Sequence, residues 1–100
     1  MSARKFEFVL TGPAKRDLQG LLSFTRQKWG YAQYLKYRQK VDKAIQTLIK
    51  NPEIGRKHYN HLVYTADKHH IYYRIQDSTI FIMRILHQRM NPTEHLDEEP

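Results

Sequence analysis

The sequence predicts an α+β domain, a helical hairpin packed on one face of a mainly antiparallel sheet, in the order β-α-α-β-β-β with a short C-terminal helical turn. Three observations carry this. Lys5–Leu10 alternates apolar and polar residues, two segments with a 3.6-residue apolar period follow each other across Gly30, and β-branched and aromatic runs fill the chain after Pro52. One hundred residues suit a single domain spanning 1–100, with 97–100 as a loose tail. Such a chain buries roughly two-thirds of its unfolded surface, enough for a core without staples.

In the first strand Phe6, Phe8 and Leu10 share one side, with Glu7 and Val9 on the other. Thr11 then offers a hydroxyl to cap a helix. Pro13 sits in the first turn, where a missing amide hydrogen costs nothing. The apolar stripe of this helix is Ala14, Leu18, Leu21, Leu22, Thr25 and Trp29, and Gly30 supplies the left-handed position that ends it.

The second helix runs from about Tyr31 to Lys50. Tyr34, Tyr37, Val41, Ala44, Ile45 and Leu48 fall within one arc and face the sheet, while Lys36, Lys40, Lys43 and Lys50 form a stripe on the opposite arc. Lysines so placed ordinarily serve solubility. With no exposed aromatic partners they also lack the stacking platform that single-stranded nucleic acid needs.

Asn51-Pro52 ends the helix, and Glu53-Ile-Gly-Arg56 reads as a turn in which Gly55 frees the backbone. The next stretch reads as mostly irregular. Leu62–Thr65 forms a short strand and His69–Gln76 a longer one, with Ile71, Tyr73 and Ile75 opposing His70, Tyr72 and Arg74. Asp77-Ser78 makes a tight hairpin into Thr79–His87, whose start is apolar enough to be buried on both faces. Pro92 stops that strand, and the helical turn lies near Pro92–Leu96.

The formal charge is +7, concentrated in residues 1–50, where Glu7, Asp17 and Asp42 are the only acids. Such a field favours an acidic partner, nucleic acid or acidic protein. With no cysteine, disulfides, thiolate metal sites and cysteine nucleophiles are excluded, and a reducing cytoplasm is compatible. The start of the chain lacks a signal-peptide apolar region, and no apolar run approaches the ~20 residues needed to span a bilayer, so a cytoplasmic, membrane-free protein is expected. Neither a Gly-rich phosphate loop nor a Gly-x-Ser-x-Gly elbow is present. His58 and His61, three apart, and the adjacent His69 and His70 do not make a metal site, because neighbouring strand residues point to opposite faces. No metal or cofactor is expected.

The stretch Arg84-Ile-Leu-His-Gln-Arg-Met-Asn-Pro resembles the C-terminal signature of ParE-type toxins in the RelE/ParE superfamily of bacterial toxin–antitoxin modules. Leu10-Thr-Gly-Pro-Ala-Lys-Arg-Asp-Leu18, Trp29-Gly30, Asn51-Pro-Glu-Ile-Gly-Arg56 and Ile71-Tyr-Tyr-Arg74 stand in the order that family shows, so the resemblance covers nearly the whole chain. It implies the same fold and a toxin that inhibits DNA gyrase by stabilising the cleaved DNA complex, a binder of the gyrase A subunit and its DNA. The basic cluster Arg84, His87, Arg89 and Met90 is the candidate target-binding set, with internal pairing or packing as the structural reading of each.

The resemblance also implies a cognate antitoxin, with a higher-order toxin–antitoxin oligomer open. Tyr31, Tyr34, Leu35 and Tyr37 are candidate anchors for it, equally explained as core, and Lys36, Lys40 and Lys43 would attract its acidic segment. The alternative is RelE-type, ribosome-dependent mRNA cleavage, which needs a base, an acid and cations at the phosphorane. Arg84, His87, Arg89 and His95 would then be catalytic, although Leu62-Val-Tyr-Thr-Ala is poorer in basic residues than the RelE pattern.

Overall fold

The computed structural model describes residues 5–90. Its elements are β1 (Glu7–Leu10), α1 (Gly12–Trp29), α2 (Tyr31–Lys50), β2 (Arg56–His58), β3 (His61–Ala66), β4 (His69–Gln76) and β5 (Thr79–His87). The five strands form one sheet in the order β1-β5-β4-β3-β2, parallel between β1 and β5 and antiparallel elsewhere. This is the expected α+β fold with one added strand. Arg56-Lys57-His58 carries no apolar alternation, so only its pairing with β3 makes it a strand, a short charged edge. The expected helical turn near Pro92–Leu96, the tail 97–100 and His95 lie outside the described residues.

The main core lies between the helices and the sheet. Ala14 from α1, Val41, Ala44, Ile45 and Leu48 from α2, and Ile71, Tyr73, Ile80, Ile82 and Ile85 from the sheet form one buried cluster. Ile80 and Ile82 alternate inward as a strand requires, but Ile85 is out of step with them. A β-bulge resolves this: Tyr72 pairs with Arg84 and Tyr73 with Ile82, so β5 gains one residue at Met83 and its alternation is reset. The opposite face holds a smaller cluster of Val63, Tyr72 and Leu86, with Met90 packed on it.

Three two-residue hairpin turns join β2 to β5, and each begins with a residue at positive φ: Tyr59 at 54°, Asp67 at 57° and Asp77 at 57°. Aspartate tolerates this conformation, whereas for a tyrosine it is unusual.

Three local expectations change. Trp29 is not part of the apolar stripe but 63% exposed. The 18-residue α1 is about 27 Å long, and only its first part, Ala14, Leu18 and Leu21, meets the core. The remainder overhangs. Gly30 has the positive φ expected of it, 89°, but its ψ of 176° lies outside the left-handed helical region in one open essentially to glycine alone, and it closes α1 and opens α2 as a single residue. Its N–H donates to Arg26 O (3.0 Å) and its carbonyl accepts from Tyr34 N–H (3.1 Å).

Gly55 is required for space rather than freedom. An added Cβ would stand 2.6 Å from Tyr73 Oη and 2.9 Å from the Val63 carbonyl. That phenol donates to Pro52 O (2.7 Å) and accepts from Gly55 N–H (2.9 Å), tying the α2–β2 turn to the middle of the sheet.

Candidate functional site

The end of β5 is where the sequence placed the basic cluster, and its geometry follows from a vacated edge. β1 pairs with β5 only as far as Leu10 opposite Ile82, and the chain then turns into α1. Beyond Ile82 the backbone of β5 needs other partners on that side. Thr11 and Asp17 supply them. The Thr11 hydroxyl lies 3.0 and 3.1 Å from the Ile82 and Met83 carbonyls and accepts from Ala14 N–H (3.3 Å), so the expected helix cap also closes the strand. The Asp17 carboxylate accepts the Ile85 backbone N–H at 3.0 Å.

The same carboxylate holds Arg84. Nε donates to Oδ2 at 2.6 Å and Nη2 to Oδ1 at 2.8 Å, a two-pronged pair between largely buried side chains. Hydrogen bonding to Asp17, partly opposed by burial, raises the guanidinium pKa further above its already high value. The bulge sets Arg84 opposite Tyr72, and its long side chain reaches Asp17 past the edge that β1 leaves open.

His87 turns elsewhere. It pairs with His69, with the two rings edge to face at 5.2 Å, and its Nδ1 accepts from Arg89 N–H at 3.1 Å. His69 in turn lies 3.1 Å from Tyr37 Oη of α2. Burial, then the neighbouring His87, lowers the His69 pKa, while burial and then Asp67 raise that of the Tyr37 phenol. Both groups are therefore neutral around pH 7. Arg89 is exposed, and Met90 packs on the opposite face against Val63, Tyr72 and Leu86. Thus Arg84, His87, Arg89 and Met90 do not make one surface: successive residues leaving a strand point in different directions.

Of the candidate anchors on α2, Tyr31 and Leu35 are exposed, and Tyr34 is half-buried with its ring stacked on Tyr31 at 5.7 Å. Tyr37 is a structural contact to the sheet. Lys36, Lys40 and Lys43 face water, as their spacing predicted, and Lys40 lies 3.6 Å from Asp67 in a solvent-exposed pair.

The sheet face away from the helices carries a constellation that sequence spacing did not assemble. Arg56 and His58 of β2 stand beside Val63 and His61 of β3, and Val63 stands beside Tyr72 of β4. The rings of His58, His61 and His70 lie edge-on around Tyr72 at 5.7, 6.4 and 6.2 Å. The His70 Nδ1 is 2.8 Å from Thr65 Oγ1, and burial followed by Arg56 and His58 lowers its pKa. His58 Nε2 is buried with no hydrogen-bond partner among the described residues. The split of His70 and Tyr72 from Ile71 and Tyr73 was legible from alternation. The contribution of β2 was not, since that strand had no pattern to find. His69 and His70 do point to opposite sides, one to Tyr37 and one to Thr65.

Known proteins place the chain. Residues 8–92 match the family described as the ParE toxin of type II toxin–antitoxin system, parDE. The chain belongs to the ParE toxin family. It is similar to Toxin ParE1 of Mycobacterium tuberculosis, 32% identical over 103 aligned positions that cover 96% of this chain and 100% of the relative. Toxin ParE1 of Caulobacter vibrioides is 29% identical, covering 89% of this chain and 96% of the relative.

Among solved structures, the fold of this ParE-family toxin matches a chain of the chromosomal ParDE system from P. aeruginosa with a TM-score of 0.72 at 20% identity, covering 85% of this chain and 98% of that one. It also matches a chain of the toxin–antitoxin complex RelBE2 from Mycobacterium tuberculosis, with a TM-score of 0.62 at 22% identity, covering 83% of this chain and 98% of that one. The expected RelE/ParE-like fold is therefore the observed one. Among the described residues no helix is long and apolar enough to cross a membrane.

Proposed function

We propose that this toxin inhibits DNA gyrase in the cytoplasm by stabilising the enzyme's cleaved DNA complex, docking on the A subunit and its DNA, and that a cognate antitoxin neutralises it by direct binding. A poison of this kind must bind the cleaved state more tightly than the intact one, and its positive charge suits a site beside DNA. The observation that carries the choice of a binder over a nuclease is the Asp17–Arg84 pair. It commits the central cation of the candidate catalytic set to the structure, while His87 turns to His69.

The test is a supercoiling assay with purified gyrase and ATP, with protease added to release trapped DNA. Loss of supercoiling together with protease-released linear DNA is the expected result, reversed by the antitoxin. Full supercoiling activity at micromolar toxin would remove gyrase as the target.

A second reading, ribosome-dependent mRNA cleavage, is favoured by one feature: Arg56, His58, His70 and Tyr72 on the open face offer a cation and titratable groups within one patch. Programmed ribosomes incubated with the toxin decide it. Cleaved message, lost on His70→Gln, would transfer the function to that face.

For the antitoxin, exposed Tyr31 and Leu35 supply anchors, the lysines of α2 attract an acidic segment, and the outer edge of β2 accepts an added strand. Replacing Lys36, Lys40 and Lys43 together by Gln should slow association at low salt and flatten its salt dependence. An unchanged salt dependence would remove the stripe from the interface.

A further inference from the structure

The α1–α2 junction is the part of the molecule least explained by packing. Phe24 is 57% exposed, Trp29 63% and Tyr31 59%. Large apolar side chains gathered at one tip, where a helix pair overhangs its sheet, mark a contact surface rather than a scatter of singly exposed residues.

Their environment is specific. Lys28 Nζ stands 5.6 Å from the ring centres of both Phe24 and Trp29, and the Arg26 guanidinium 5.6 Å from that of Tyr31, which stacks on Tyr34. Between Asp17 and Asp42 the sequence contains no carboxylate, while Arg26, Lys28, Lys36, Arg38 and Lys40 all lie in that interval. The tip therefore offers flat apolar faces and positive charge together, with no negative group in the segment to repel an anion.

We infer that the tip of the α1–α2 hairpin is a stacking platform for unpaired DNA, with Phe24, Trp29 and Tyr31 receiving bases and Arg26 and Lys28 receiving phosphates. A nucleobase strand supplies both things the surface asks for, a π-face for each ring and an anion beside it. A run of carboxylates satisfies the charges but brings no flat face to Phe24 and Trp29, which lie on α1 outside the α2 anchors proposed for the antitoxin; Tyr31 is common to both surfaces. An intact duplex offers phosphates but keeps its base faces stacked on one another. The choice of DNA over RNA rests on the proposed gyrase reading; the platform itself does not, and its rings lie beside Arg26 and Lys28 rather than along the lysine stripe of α2, for which no exposed aromatic partners were expected.

Trp29 is the single tryptophan of the chain, so its fluorescence reports on the tip directly. The purified full-length toxin is titrated with a thymidine oligomer of about eight nucleotides, within the site size of stacking proteins. Parallel titrations use a uridine oligomer, a duplex of equal length and poly-glutamate. The expected result is quenching of Trp29 by the thymidine oligomer, with weaker binding of the other three. If Arg26 and Lys28 each neutralise one phosphate, the logarithm of the binding constant falls against that of salt with a slope of about −1.4.

Phe24→Ala and Tyr31→Ala should each weaken binding about tenfold with the urea midpoint unchanged. Arg26→Gln with Lys28→Gln should flatten the salt slope. No quenching at about 100 µM oligomer in low salt, where even non-specific binding is measurable, overturns the proposal. So does equal or tighter binding of the duplex or poly-glutamate, or unchanged affinity in both aromatic variants; equal or tighter binding of the uridine oligomer overturns the assignment to DNA and leaves a platform for unpaired RNA. Binding is read without gyrase, so a toxin that stacks thymidine but leaves supercoiling intact keeps the platform and removes the gyrase reading.

Discussion

The two ends of the α1–α2 hairpin use the same kinds of residue in opposite ways. At the base, Arg84 of β5 meets Asp17 of α1, which also accepts the Ile85 N–H, and the arginine becomes a structural brace. At the tip, Arg26 and Lys28 lie over exposed aromatic rings, with no carboxylate in the sequence from Leu18 to Val41. Whether a cation is architecture or available surface is decided here by the presence of a carboxylate partner, not by its place in a motif.

Breaking the base should have the largest effect. Asp17→Ala leaves a mostly buried guanidinium and a strand N–H without their acceptor, and should cost about 3 kcal/mol in urea unfolding. Arg84→Ala should cost less, about 2 kcal/mol, because the remaining carboxylate still accepts the Ile85 N–H. Equal costs would mean that the backbone bond contributes nothing.

The α2–β2 turn extends the contrast to backbone. Gly55→Ala forces a Cβ against Tyr73 Oη and the Val63 carbonyl and should cost about 2 kcal/mol. In a Tyr73→Phe background the same change should cost measurably less, since the oxygen it collides with is gone. Additive costs would place the strain on the Val63 carbonyl and the Tyr73 ring carbon instead of the phenol oxygen.

Acid should loosen the sheet before the tip. His69 and His70 are held below the ordinary histidine pKa, in both cases mainly by burial, so just below about pH 6.5 the unfolded chain binds more protons than the folded one. Their contribution is fully present above that pH and is lost as pH falls through the depressed values. Urea midpoints should therefore drop between about pH 7.5 and about pH 5.5, with a smaller drop in His69→Gln. An identical drop in that variant would assign the effect elsewhere.

The smallest effect on stability belongs to the tip. Trp29→Ala should change unfolding by no more than about 0.5 kcal/mol, because the side chain is largely in water already. A loss comparable to that of Asp17→Ala would show that the overhanging end of α1 is packed after all.

Much of this architecture was legible in the sequence, for local reasons. Thr11 and Pro13 announce α1, the spacing of Val41, Ala44, Ile45 and Leu48 announces the buried side of α2, and Asp77-Ser78 announces the last hairpin. β2 was not legible, because a polar three-residue edge becomes a strand only when β3 is beside it. Trp29 misled, because a helical stripe records which side of a helix is apolar but not how far the sheet beneath it extends. Of the candidate site residues, the exposed lysines stand where periodicity put them, while Tyr31, equally readable as core or surface, is exposed. Arg84 turns to Asp17, His87 to His69 and Met90 to the cluster of Val63, Tyr72 and Leu86.

The sequence by itself determined the fold class, the helix boundaries at Thr11 and Gly30 and membership of the ParE toxin family, because periodicity, capping and motif order are properties of neighbouring residues. Only the tertiary structure decided which cations are spent and which remain available. That depends on pairings such as Arg84 with Asp17, residues 67 positions apart that are brought together by the ending of β1 and the docking of α1.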